Sequence, residues 1–131
     1  MPGALLDTSV VIDWALPEVA AALPVAFAIS AITLAELTAG PILATDAEER
    51  AERLNRLQIV ESAFEPIPFE AHAARSYGRI VAAVTGRGRI HRSRVADLLI
   101  AATAHANEMT LFTRNPDDFV GLEALIEVRA I

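Results

Sequence analysis

Short apolar runs alternate with helix-length patterns along the whole chain, and that alternation leaves few folds open. Ala4–Leu6, Ala26–Ile29 and Met109–Thr113 have the length and composition of buried strands, and Ile126–Val128 reads as an edge strand. Phe64–Phe69, with Pro66 and Pro68, is a short strand or an extended link. Between these runs the spacing predicts helices. The first is Ser9–Leu16, stopped near Pro17; the second is opened by Ser30 or Thr33 and ends at Gly40-Pro41. Asp46–Val60, Glu70–Val84 and Val95–Ala106 follow. Strands separated by helices throughout predict an α/β fold, a short parallel β-sheet flanked by helices on both faces. The 131 residues make one domain, 1–131, large enough to bury a single core.

Composition narrows the chemistry. With 53% hydrophobic and 21% charged residues the chain is globular. It has no cysteine, and His72, His91 and His105 lack metal-ligand spacing, so disulfide frameworks and thiolate zinc sites are excluded. All 11 basic residues are arginine. Without lysine there is neither a P-loop nor a Schiff-base nucleophile. A net charge of −6 speaks against holding nucleic acid by bulk electrostatics, so a phosphate-handling site needs local arginines or bound cations. Val19–Ala35 is uncharged but interrupted by Pro24, and it falls short of the roughly 20 residues that span a bilayer. No basic segment precedes Asp7 to suggest a signal peptide, and the expectation is a cytoplasmic protein with no membrane association.

The informative residues are carboxylates in places where surface residues do not belong. Asp7 ends the first strand, at the carboxyl edge where open parallel sheets bind ligands; the bland alternative is that Asp7, Thr8 or Ser9 caps the next helix. Glu36 lies in the otherwise apolar Ile32–Leu37, where Thr33-x-x-Glu36 also matches a capping box. Asp97 is the only charge between Val95 and Ala104, a stretch apolar on nearly all sides. Burying it costs several kcal/mol unless a cap, a cation or a metal compensates. A last acidic turn, Asn115-Pro116-Asp117-Asp118, follows a strand and therefore shares the edge of Asp7. Hard oxygen ligands in such a cluster suit Mg²⁺ or Mn²⁺. By contrast, Glu48, Glu49, Glu52, Arg53 and Arg56 form a charge ladder on a solvated face.

Four blocks together, Leu6-Asp7-Thr8-Ser9, Glu36–Gly40, Asp97–Ala104 and Thr113–Phe119, resemble the PIN-domain nucleases, and within them the VapC toxins of bacterial toxin–antitoxin pairs. The resemblance covers the whole chain. It implies a PIN-like parallel-sheet fold, a Mg²⁺-dependent endoribonuclease (Mn²⁺ as the alternative ion), a homodimer, an RNA substrate and a cognate VapB-type antitoxin. It carries over Asp7, Glu36, Asp97 and Asp118 as the catalytic and metal-binding quartet, with Thr8, Ser9, Thr113 and Asn115 supporting them. The N-x-x-D-F spacing of Asn115–Phe119 selects Asp118, leaving Asp117 as a second candidate for the metal; Phe119 then anchors the turn in the core.

Around Asp97 the segment Gly86–Arg94 contains Arg87, Arg89, Arg92 and Arg94. These, with Arg114, are the candidate RNA-binding cations; the alternative is an ordinary solvated loop. Two other classes compete with the nuclease: a non-nucleolytic Mg²⁺-binding receiver-like module, disfavoured by the absence of lysine, and an α/β module that only binds a partner.

Overall fold

Alternate residues of the strands face opposite sides, and this sets the layers. In the computed structural model, which describes residues 3–86 and 94–131, β1 (Ala4–Leu6), β2 (Thr110–Thr113) and β3 (Val128–Ala130) form a parallel sheet in that order. The register places Leu6 beside Phe112 and Leu111 beside Val128. Leu5 and Leu111 enter one core with Ile80, Val84, Leu98 and Ile100, whereas Ala4, Leu6 and Phe112 enter another with Val10, Val11, Val19, Leu37 and Val60. Helices therefore cover both faces of the sheet. Each of the fully buried Leu and Ile side chains contributes about 1.5–3 kcal/mol by leaving water.

The expected strand at Ala26–Ile29 is reduced to single bridges. Leu5 pairs with Ala28, and Ser30 pairs with Ile67, so the same short segment joins β1 on one side and the Phe64–Phe69 link on the other. Its ladder stops there because Ser30 already caps the next helix.

The helices are α1 (Thr8–Asp13), α2 (Pro17–Ala22), α3 (Ala31–Leu43), α4 (Ala47–Ala63), α5 (Ala71–Gly86) and α6 (Val95–Ala106). The single helix expected over Ser9–Leu16 ends at Asp13, and Pro17 opens a new helix instead of stopping the old one. Proline suits that first position, where its missing N–H has no helical acceptor in any case.

Helix α3 also corrects the expectation at Gly40-Pro41. It runs through both residues to Leu43. The carbonyls at its end are taken up by α4: Arg53 Nη1 donates to Gly40 O at 2.8 Å and Arg50 Nε to Pro41 O at 3.2 Å. Those donors complete a helix end that sequence signals alone would have closed earlier. Among the described residues no helix is long and apolar enough to cross a membrane.

Candidate active site

Asp7 and Thr113 leave the carboxyl ends of adjacent parallel strands, so the register brings them side by side. The Asp7 N–H donates to Phe112 O at 2.8 Å, and the Thr113 hydroxyl donates to Asp7 Oδ2 at 2.8 Å. Ser9 Oγ donates to the same oxygen at 2.7 Å, while accepting from the Arg114 N–H at 3.1 Å. Thr113 Oγ1 in turn accepts from Asn115 N at 2.9 Å. Asp7 is only 3% exposed. It occupies the cap position of α1 yet makes no side-chain cap bond, because its carboxylate is held by hydroxyls and not by the helix N–H groups.

Glu36 is likewise not the reciprocal partner of a capping box. Ser30 caps α3 by accepting from Thr33 N at 3.1 Å, so Thr33 sits inside the helix. The Thr8 hydroxyl donates to Glu36 Oε1 at 2.6 Å, and lies 3.0 Å from Thr33 Oγ1. With its one proton given to Glu36, Thr8 can only accept from Thr33. The Ser30 hydroxyl donates to Thr33 Oγ1 at 3.4 Å, which completes a directed chain Ser30 to Thr33 to Thr8 to Glu36. Ser30 and Thr33 are fully buried, whereas Glu36 is exposed on α3. Local sequence signals mark both hydroxyls only as helix openers; their place in an apolar stretch is the sign that they serve something else.

Asp97 lies in the first turn of α6, after the cap residue Arg94, and is half-buried. No side chain among the described residues donates a hydrogen bond to it. Burial, then repulsion by Asp7, Asp118 and Glu36, raises its pKa from the usual 3.8 to about 6, with Arg94 acting the other way. Four carboxylates from four segments thus bear on one place.

Pro116–Phe119 forms a 3₁₀ turn with Phe119 buried at its end. Asp117 is exposed; Asp118 is half-buried and ion-paired with Arg94. Asn115 is exposed and closes the turn through its carbonyl, which accepts from Asp118 N at 3.0 Å. Arg114 is committed elsewhere: Nε reaches Asp13 Oδ2 at 3.2 Å and Nη1 donates to Ile131 O at 3.1 Å, pinning α1 and the chain beyond β3 to the end of β2. Arg87, Arg89 and Arg92 lie outside the described residues.

Among the described residues no three acidic or histidine side chains converge as a closed ligand set. Asp7, Glu36 and Asp118 are each turned onto a protein donor. The donor set nevertheless fits a hard divalent cation, being all carboxylate and self-repelling at Asp97.

A PIN-domain family model matches residues 4–123. Ribonuclease VapC5 of Mycobacterium tuberculosis (strain ATCC 25618 / H37Rv) is 35% identical over 111 residues, covering 85% of this chain and 79% of the relative. The crystal structure of VapBC-5 from Mycobacterium tuberculosis, a member of the VapBC family of toxin-antitoxin systems, aligns with a TM-score of 0.82 at 37% identity, over 99% of this chain and 98% of that one. FitAcB from Neisseria gonorrhoeae aligns with a TM-score of 0.78 at 29% identity, over 96% of each.

Proposed function

The chain belongs to the PIN-domain family, homologous to the VapC ribonucleases, and from that premise we propose that it is a metal-dependent endoribonuclease toxin held in check by a VapB-type antitoxin. The observation that supports this reading most is the repulsion felt by Asp97 from Asp7, Glu36 and Asp118 at one edge of a parallel sheet. A family match at this level sets the receiver-like alternative aside. The substrate is RNA and the site of action the cytoplasm.

Asp7, Glu36, Asp97 and Asp118 would hold Mg²⁺ or Mn²⁺. When bound, such an ion supplies a Lewis acid that lowers the pKa of a water and offsets charge on a phosphodiester. The chain's own residues prepare that chemistry. Ser9 and Thr113 fix Asp7 through one carboxylate oxygen, and the hydroxyl chain ending at Thr8 orients Glu36 from a helix whose face is open to solvent. Asp97, which has no hydrogen-bond donor among the described residues, is drawn toward neutrality by burial and by its acidic neighbours. Phe119, buried at 2% exposure, holds the turn so that Asp118 and not Asp117 faces the other acids.

Purified protein incubated with total cellular RNA should cut it in Mg²⁺ or Mn²⁺ and leave it intact in EDTA. Asp7→Asn, Asp97→Asn and Asp118→Asn should each lower cleavage by about 100-fold or more, as expected when a group that stabilises developing charge is lost. Asp117→Asn should stay within a few-fold of the parent. Cleavage undiminished in EDTA, or by Asp97→Asn, would contradict the metal reading; Asp117→Asn as the more damaging change of the pair would rotate the turn by one residue.

A further inference from the structure

Arg94 immediately precedes α6, yet it makes no cap hydrogen bond to that helix. Its guanidinium is spent on Asp118 of the turn after β2. We propose that Arg94 is an internal cation that holds Asp118 while the site is metal-free, so that a divalent ion must displace it to bind. This rests on the reading that the carboxylates hold a metal.

The partners of the four acids carry the argument. Asp7 and Glu36 are held by hydroxyls, which orient a carboxylate but leave its charge in place. Asp97 has no donor among the described residues. Among the described residues Asp118 is the one of the four with a cation on it, and the side chains of the pair are 36% and 29% exposed. Asp118 exerts the main attraction on that guanidinium, and Asp97 and Asp117 add smaller pulls. The other described arginine at this edge, Arg114, is tied to Asp13 and the Ile131 carbonyl. A carboxylate oxygen facing a guanidinium is not available to a metal at the same moment. Where the metal takes Asp118 Oδ1, its affinity therefore contains the cost of breaking the Arg94–Asp118 pair.

The test is calorimetric binding of Mn²⁺, without RNA, to the parent chain, Arg94→Gln, Arg79→Gln and Asp97→Asn. Arg79 is exposed on α5 and has no partner among the described residues, so its variant changes net charge equally without touching the site. Arg94→Gln should bind Mn²⁺ about two- to tenfold tighter than the parent, the range of a partly shielded ion pair. Arg79→Gln should match the parent, and Asp97→Asn should lose binding. Equal or weaker binding by Arg94→Gln, or an equal gain in Arg79→Gln, overturns the proposal while leaving the metal reading intact. Failure of both parent and Arg94→Gln to bind Mn²⁺ overturns the two together. Arg94→Lys guards against a folding artefact: keeping the charge while losing the fork, it should fall between parent and Arg94→Gln, and a value outside that interval counts against displacement.

Discussion

Asp97 is the residue at which the acidic site is least comfortable without a cation. Its pKa lies above that of a free carboxyl, at about 6, so the folded chain holds the proton more tightly than the unfolded one. Stability from this group is thus present at low pH and is lost as pH rises between about 4 and 6. The rise from 3.8 to about 6 corresponds to about 3 kcal/mol at full value, and about 1–2 kcal/mol after discounting for partial solvent access. In EDTA at pH 7, Asp97→Asn should therefore unfold several degrees higher than the parent, and the gap should close by pH 4. Thermal melts across that range decide it; a variant no more stable at pH 7 would show that the repulsion is relieved in some other way. Buried Asp7, in the same cluster, has two hydroxyl donors on its Oδ2.

Among the elements, the link from α6 to β2 shows a local rule broken and compensated. Glu108 has φ 55°, the left-handed region that favours glycine. There its N–H donates to His105 O at 3.3 Å while the Met109 N–H donates to Ala104 O at 2.9 Å, closing the helix and launching the central strand at Thr110. Those two bonds, and the packing of Ala101, Ala102 and Ala104 against the core, hold a side chain-bearing residue in a costly conformation. Glu108→Gly should stabilise the protein by about 0.5–1 kcal/mol, read as a higher denaturant midpoint at unchanged slope. A lower midpoint would mean that the glutamate side chain contributes more than the backbone strain costs. Helix α3 makes the complementary point, since Pro41 inside it is carried by arginines from α4 instead of ending the helix.

For the whole molecule, the surface is more apolar than a solitary small domain requires. Ile42 and Leu43 are 80% and 70% exposed at the end of α3, with Leu54 and Ile59 also exposed on α4. Large contiguous exposed apolar patches mark protein interfaces. We expect a homodimer: sedimentation at micromolar concentration should give the mass of two chains, and a monomer under those conditions would count against it. The net charge of −6 gives no bulk attraction for a phosphate backbone, and Asp7, Glu36, Asp97 and Asp118 add negative charge at one edge, so the proposed RNA substrate needs a bound cation or local arginines there.

What the amino-acid sequence determined by itself was whatever depends on neighbours along the chain. Apolar period and length placed β1, β2, α4, α5 and α6 to within a few residues, and alternating strands and helices implied the parallel sheet. The lone charge at Asp97 and the turn at Asn115–Phe119 were visible because each breaks a local pattern. Only the tertiary structure decided what those residues touch. Thr113 meets Asp7 across 106 positions of sequence, Thr8 meets Glu36 across 28, and Arg94 meets Asp118 across 24. The same holds at Gly40-Pro41 and in the single-bridge segment around Ala28, each settled by hydrogen bonds from elsewhere in the fold, whereas Pro17 opens α2 by a local rule. Burial leaves a periodic trace in sequence, because every residue of an element reports the same face. A hydrogen bond or ion pair between distant segments leaves none, and its partners exist only once the packing has brought them within 3 Å or so.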